Sequence, residues 1–172
     1  TDTLAAVDFL YTQEVVNGMS PGQYGPQLSI RRGDFCLMLF RAFQFAGAGT
    51  TQPFRDVPGD AYYAQAVNTL RSLGIVDGVG GNLFMPDGTL SRQDASLMVQ
   101  RTLRTAGLPA ADGNAGVLTN YPDGQQVATY AVGGVACMVE QGLLPDVYGQ
   151  LAPAAPLTRA DMAVLLHRAM TK

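Results

Sequence analysis

Apolar residues along the chain recur at a helical period in several stretches, which alternate with glycine-rich loops. In residues 61–75, Tyr63, Val67 and Leu70 stand three or four positions apart, which predicts an amphipathic helix. Gly74 comes directly after this apolar stripe and is the expected end of the helix. The stretch "FCLMLFRAFQF" is apolar nearly all round, which is typical of a helix buried on several faces. The pattern therefore predicts an all-α protein.

The pattern is an internal repeat of three copies. Copy 2 aligns with copy 1 at an offset of 60 residues without a gap, and copy 3 follows at 67 or 68 residues. Copy 3 has a central loop one residue shorter and additional residues before its first helix. We define copy 1 as residues 1–49, copy 2 as 50–108 and copy 3 as 109–172. The matched proline, arginine and acid of the three copies are Pro26, Arg32 and Asp34; Pro86, Arg92 and Asp94; and Pro153, Arg159 and Asp161.

Each copy is predicted to form a helical hairpin, that is, a helix–loop–helix unit. One hairpin cannot cover the apolar surface of its own second helix. Three can do so if the second helices meet near a common axis and the first helices pack outside them. We therefore expect one all-α domain of three helix–loop–helix repeats with pseudo-threefold symmetry and a central three-helix bundle. Phe84, flanked by turn-forming residues, is expected to fill the space between helices.

The beginnings of the second helices carry capping signals. A side-chain oxygen at the N-cap accepts a hydrogen bond from a backbone N–H of the first turn, and an acid three positions later can reach back in a capping box. The acids at this position are accordingly predicted to support the helix ends rather than to bind a ligand. The predicted cap residues are the hydroxyl residues Ser91 and Thr158 and the acids Asp34, Asp94 and Asp161.

Composition limits the possible partners. The chain of 172 residues is 47% hydrophobic and 15% charged, which indicates an ordered, weakly charged protein. Its net charge of −3 argues against a nucleic-acid partner. No apolar run approaches the roughly 18 residues that a membrane span needs, so no membrane partner is expected. Because the chain begins at Thr1 rather than Met, we expect it to be a segment of a longer protein.

The sequence does not predict an enzyme, a metal site or a cofactor. The one histidine, His167, lies in an apolar context and is expected to pack or to lie at the surface. Cys36 and Cys137 also lie in apolar helical contexts, which favours buried free thiols; a disulfide, or a reactive or metal-binding role, stays open. The pair Asp56 and Asp60 supplies too few oxygens for a calcium loop and is interpreted as part of a turn.

The repeat resembles the S-layer homology family over nearly the whole chain. Copy 2 carries "FRDVPGDAYYAQAV", "LGIVDG", "LFMP" and "LSRQDA". Copy 3 carries "YAVGGV", "QGLL", "LAP" and "LTRADMAVLLHRA", and copy 1 carries "EVVNG", "QYGP" and "SIRRGDF". The chain departs from the family in three respects. It has no Trp, the motif of copy 1 has Arg31 in place of the hydroxyl cap and Gly33 in place of the alanine, and Pro145 stands at the position of Gly78.

The resemblance implies that the chain anchors an exported protein non-covalently to the bacterial cell wall. The implied partner is a secondary cell-wall polysaccharide linked to peptidoglycan, often with a pyruvylated sugar, bound in grooves between repeats. It also implies an extracellular location, in the cell wall or a surface layer, with self-association as a further possibility. In copy 1 the aromatic position of the motif falls on Asp2. Carried over by position, the ligand-binding residues are Arg32, Arg92, Arg159, Tyr62 and Tyr130.

Physical chemistry is compatible with this assignment. The N-terminus of a helix has unpaired N–H groups and the positive end of a dipole, and an arginine there adds a planar donor fork for a carboxylate. Tyrosine offers a flat apolar face and a hydroxyl to a sugar. The arginines could instead pair with nearby acids, and Arg31, which replaces the hydroxyl cap of copy 1, is either a further anion ligand or solvated. The alternative function is a protein–protein or self-assembly module without glycan binding, which the absence of Trp favours.

Overall fold

The structure, a computed structural model, describes residues 2–17, 23–47 and 52–172. Short 3-10 segments (Ala115–Asn120, Gly124–Gln126 and Thr129–Ala131) precede the first helix of copy 3. Over the described ranges the chain forms no β-sheet, only isolated bridges between loops, so the predicted all-α class is confirmed. The helices are α1 (Asp2–Thr12), α2 (Arg32–Phe43), α3 (Ala64–Ser72), α4 (Arg92–Thr105), α5 (Val132–Glu140) and α6 (Arg159–Met170).

The ends of the helices follow local sequence signals. Gly74, with φ of +71°, directly follows the C-cap of α3, as the sequence predicts, because glycine adopts this left-handed conformation without a steric penalty. The hydroxyl of Ser91 accepts a hydrogen bond from the N–H of Asp94 at 3.2 Å. The hydroxyl of Thr158 accepts from Asp161 in the same way, at 3.1 Å. Ser91 and Thr158 are therefore the N-caps of α4 and α6.

The first and second helices of one copy do not pack on each other. Among the described helices, α3 packs on α2, α5 on α4, and α1 on α6. Each first helix thus covers the second helix of the preceding copy, and the first copy covers the last. The apolar stripe of a first helix is therefore buried by a neighbouring copy and not by the second helix of its own copy. The second helices α2, α4 and α6 contact one another, which supports the predicted central bundle.

A ring of three backbone hydrogen bonds joins the residues just before the second helices. The N–H of Ile30 donates to the carbonyl of Leu157 at 2.9 Å, and the N–H of Leu157 donates to that of Leu90 at 2.7 Å. The N–H of Leu90 donates to Ile30 at 3.4 Å and closes the ring. All three side chains are buried. Because every copy supplies one donor and one acceptor, the ring supports the predicted threefold arrangement.

The remaining predictions concern groups inside the molecule. Phe84 is fully buried, as predicted. Cys36 and Cys137 are buried free thiols, and burial raises the pKa of both. The ring of His167 packs on Phe9 with 4.7 Å between ring centroids, which confirms a packing role. The boundaries of the three copies stay predictions.

Replacing Leu90 by Ala should lower the free energy of unfolding by about 3 kcal/mol, because it leaves a cavity where the three copies meet. Urea denaturation followed by circular dichroism measures the change. Leu4→Ala is the matched control, since Leu4 on α1 is exposed and its truncation should cost less than about 0.5 kcal/mol. Equal effects of the two substitutions would contradict a core at the ring.

Candidate functional site

The three motif arginines reach from one copy into the loop of another. In each case the arginine Nε donates a hydrogen bond to the carbonyl of the residue two positions before the motif proline. Copy 1 reaches copy 2, copy 2 reaches copy 3, and copy 3 reaches copy 1. The bonds are Arg32 to Phe84 at 2.9 Å, Arg92 to Leu151 at 2.8 Å and Arg159 to Tyr24 at 2.8 Å.

The first N–H groups of the second helices also bond to these loops. In α2, Arg32 N–H donates to Gly88 and Gly33 N–H donates to Pro86, each at 2.9 Å. The first two N–H groups of α4 and of α6 donate in the same way to loop carbonyls of the next copy. The first two N–H groups of each second helix are therefore not free for an anion, contrary to the expectation of open helix ends, because they are used between copies. An anion would have to be held by side chains.

Two aspartates hold the loops that receive the arginines. The carboxylate of Asp56 accepts from the N–H groups of Phe84 and Met85 at 2.8 and 2.7 Å. Asp123 holds Leu151 and Ala152 in the same manner, at 2.9 and 2.7 Å. Sequence reasoning took Asp56 for part of a turn only, although its recurrence as Asp123 at the repeat offset was a signal for a shared role. The carboxylates fix the loop backbone and thereby orient the carbonyls that the arginines bind.

One open groove of about 310 Å³ lies where copies 1, 2 and 3 meet. It is lined by Arg32 from copy 1, by Asp77, Asp94 and Arg101 from copy 2, and by Tyr130 from copy 3. We call it the Arg32–Tyr130 groove. Arg32 stacks over the Phe84 ring at 4.8 Å, so its guanidinium is fixed by this contact and by its Nε bond. The groove thus brings together one predicted arginine and one predicted tyrosine.

Tyr130 presents its ring to this groove. It lies in the 3-10 turn directly before α5, and 64% of the residue is exposed. Its hydroxyl donates to the Asp94 carboxylate at 2.9 Å, so this carboxylate faces the groove, while the backbone N–H of Asp94 donates to the cap residue Ser91. Partial burial, and then the hydrogen bond to Asp94, raise the pKa of Tyr130, while Arg32 lowers it. The hydroxyl is therefore protonated and available as a polar group at neutral pH.

Tyr62 repeats this arrangement one copy earlier. Its hydroxyl donates to Asp34 at 2.5 Å, and the residue is largely exposed just before α3. Partial burial of the hydroxyl, and then the hydrogen bond to Asp34, raise the pKa of Tyr62 to about 12. Arg159, half-buried, stacks over the ring of Tyr24 at 4.6 Å. These residues correspond by offset to Tyr130, Asp94, Arg32 and Phe84.

Arg92 differs from the other two motif arginines. Its side chain is only 1% exposed, and its guanidinium donates to Leu151, to the carbonyl of Pro145 and to Asp161, the last at 2.8 Å. Burial lowers the pKa of Arg92, and the Asp161 carboxylate opposes this shift. The structure therefore places Arg92 within a buried network instead of an open groove.

The position that would supply an aromatic ring beside Asp161 is Asp2, which lies 3.7 Å from the guanidinium of Arg168. Both Arg92 and Arg168 thus contact acids, and the aromatic position between them is an aspartate. The absence of an aromatic residue and the burial of the motif arginine occur together.

A second arginine of each copy was missed by sequence reasoning. Arg101 lines the Arg32–Tyr130 groove and pairs with Asp77 at 2.8 Å. Arg41 and Arg168 occupy the matching positions of α2 and α6. The signal was present in the sequence, since these arginines recur at the same offsets of 60 and 67 residues as the motif arginines.

The described ranges contain neither a cluster of metal-ligating side chains nor a membrane-spanning helix. No group of three or more His, Cys, Asp or Glu side chains there is placed to hold a metal ion. No described helix is long and apolar enough to cross a membrane.

A family model described as the S-layer homology domain matches residues 4–36 and 53–96, which belong to copies 1 and 2. Among curated proteins the chain is similar to the Surface-layer 125 kDa protein of Lysinibacillus sphaericus, with 28% identity over 95% of this chain. It is also similar to the S-layer-related protein of Niallia circulans, with 35% identity over 37% of this chain. These matches support the S-layer homology family.

Two enzymes share the same segment. Exoglucanase XynX of Acetivibrio thermocellus is 23% identical and Amylopullulanase of Thermoanaerobacterium thermosulfurigenes is 24% identical, each over 96% of this chain. The alignments cover 15% and 9% of those two proteins, and 14% of the Surface-layer 125 kDa protein. The chain therefore spans a small part of these relatives, and most of each named enzyme lies outside the shared segment.

Replacing Arg92 by Gln should lower the free energy of unfolding by about 3 kcal/mol, because it leaves the Asp161 carboxylate and two loop carbonyls without a charged donor in a buried place. Arg32→Gln, at the matching position of copy 1, is the control and should cost about 1 kcal/mol. Chemical denaturation measures both. If Arg32→Gln proves as destabilising as Arg92→Gln, the distinction between the two arginines fails.

Proposed function

We infer that the chain belongs to the S-layer homology family through all three copies, and we propose that it anchors an exported protein non-covalently to the bacterial cell wall. The proposed ligand is an anionic saccharide of a secondary cell-wall polysaccharide linked to peptidoglycan, with a pyruvylated sugar as the specific candidate. The proposed location is extracellular, in the wall or in a surface layer.

The observation that carries this proposal is the Arg32–Tyr130 groove. It combines a fixed guanidinium, a largely exposed aromatic ring and an oriented carboxylate, Asp94. A guanidinium binds a carboxylate with two parallel hydrogen bonds, and Arg32 has terminal nitrogens left for this after its Nε bond. The ring of Tyr130 suits the apolar face of a sugar, and the Asp94 carboxylate can accept hydrogen bonds from sugar hydroxyls.

The proposal extends to a second groove but not to a third. Arg159 and Tyr62 stand at the positions that match Arg32 and Tyr130, and we propose that they bind a second saccharide unit. Arg92 is buried, so we propose that it stabilises the contact between copies 2 and 3 and does not bind the ligand. Two grooves on one chain would raise the avidity for a repetitive polymer.

The relatives favour an anchor over a catalyst. The same segment occurs in a surface-layer protein and in enzymes named for different activities. A segment common to proteins of such different names is best explained by a task that all of them need, which is retention at the cell surface. The net charge of −3 gives no long-range attraction to an acidic polymer, so the attraction comes from the arginines in the grooves.

The chain should co-sediment with cell walls, and its binding should depend on the groove arginines. The test uses walls of Lysinibacillus sphaericus, Acetivibrio thermocellus and Thermoanaerobacterium thermosulfurigenes, each before and after chemical removal of the secondary polymer. We expect binding to at least one intact preparation and loss of binding after stripping. The double variant Arg32→Gln with Arg159→Gln should bind about a hundredfold more weakly, as expected for the loss of two charge-assisted contacts.

A matched double variant, Arg104→Gln with Arg55→Gln, removes the same charge at exposed residues that do not line the Arg32–Tyr130 groove, and should bind like the wild type. Circular dichroism verifies that all variants are folded. Failure of the wild-type chain to bind any of the intact walls would contradict the proposal. Concentration-dependent self-association without a glycan, seen by analytical ultracentrifugation together with such failure, would favour the assembly module.

A further inference from the structure

The Arg32–Tyr130 groove contains a second guanidinium at some distance from the first. Arg101 follows Asp94 by seven residues on α4, which places it about 10 Å further along the helix at about 1.5 Å per residue. Asp94 and Tyr130 are hydrogen-bonded to each other near Arg32, whose charge affects the pKa of Tyr130. Arg32 and Arg101 therefore mark two different parts of one groove.

Arg101 is held in place but is not sequestered. Its Nη1 donates to the Asp77 carboxylate at 2.8 Å and to the carbonyl of Ile75 at 3.3 Å. Its side chain is 34% exposed, and that of Asp77 is 74% exposed. An ion pair this open to water contributes little to stability, so its main effect is to keep the guanidinium on the groove wall. A ligand carboxylate can approach the other nitrogens of Arg101, or displace Asp77.

We propose that Arg101 is a second anion-binding residue of the Arg32–Tyr130 groove, so that the groove takes a saccharide segment with two acidic groups, one near each arginine. This inference rests on the proposed binding of an anionic polysaccharide and adds which class of segment the groove selects. A saccharide segment with one acidic group would engage only one of the two guanidinium groups and would bind more weakly.

Asp77 and Asp94 are the acids that share the groove with Arg101. The groove holds two arginines and two aspartates, and in the free protein each aspartate has a partner, Asp77 with Arg101 and Asp94 with Tyr130. A doubly acidic segment would add two negative charges to a groove whose formal charge is balanced. Asp77 competes with the ligand for Arg101, which means that removal of the Asp77 charge should strengthen binding.

The matching arginine of copy 3 shows a contrasting situation. Arg168 donates to the carbonyl of Gly142 at 3.3 Å and lies 3.7 Å from Asp2, the acid that stands at the aromatic position. Its motif partner, Arg92, is buried. In the Arg32–Tyr130 groove, Arg101 stands with an accessible motif arginine and an exposed tyrosine. Arg168 instead stands with the buried Arg92 and with Asp2.

The test measures binding isotherms for the intact wall preparation that the wild-type chain binds best. Arg101→Gln should weaken binding about fivefold or more, since a charge-assisted contact is lost. Asp77→Asn should strengthen binding, which a merely structural role of the ion pair does not predict. Higher ionic strength should weaken wild-type binding more steeply than that of Arg101→Gln, because two charged contacts are screened instead of one.

Arg104→Gln is the matched control. Arg104 stands three residues after Arg101 on α4 and pairs with Asp112 at 2.8 Å, but it does not line the groove. Its substitution removes the same charge and a similar ion pair, and it should leave binding unchanged. Equal binding by Arg101→Gln and Arg104→Gln, with loss of binding in Arg32→Gln, would overturn this inference and leave the anchoring function intact. Absence of wild-type binding to every intact wall would overturn both.

Discussion

The structure depends on hydrogen bonds that run from the first residues of each second helix to a loop of another copy. A helix normally leaves its first N–H groups to a cap or to water. Here the first two N–H groups of α2, α4 and α6, together with the arginine Nε atoms, donate to loop carbonyls of the next copy. The carboxylates of Asp56 and Asp123 hold two of these loops from the other side. The motif arginines therefore hold the copies together, whether or not they also bind a ligand.

This use of the helix ends determines what remains for a ligand. The first two N–H groups of each second helix are not free for an anion. In the proposed binding, the ligand would be held by the terminal nitrogens of an arginine that the contacts between copies have already oriented. Such an arginine loses little conformational freedom on binding. Whether it stays accessible depends on the neighbouring loop. The carbonyl of Pro145 and the carboxylate of Asp161 occupy Arg92, whereas Arg32 lines a groove beside the exposed ring of Tyr130.

Local features of the fold were predictable from the sequence, and partners between copies were not. Gly74, Ser91 and Thr158 act within a few residues of themselves, so their spacing was sufficient to place helix ends. An amphipathic stripe shows which face of α3 is buried but not that α2, from another copy, covers it. The burial of Arg92 depends on a carbonyl far along the chain, which no local pattern encodes. Shared roles for Asp56 and Arg101 could have been predicted, because both residues recur at the repeat offset.

The packing of α1 on α6 closes the series of copies on itself. In an open array of repeats, any number of units can be stacked, and the two end units need polar outer faces. Here neither the first nor the last copy has such a free face, since each covers the other. The face of α6 on which the first helix of a further copy would pack is already covered by α1. The three copies of this chain thus close on one another, so that a change in the contact between any two of them bears on the third.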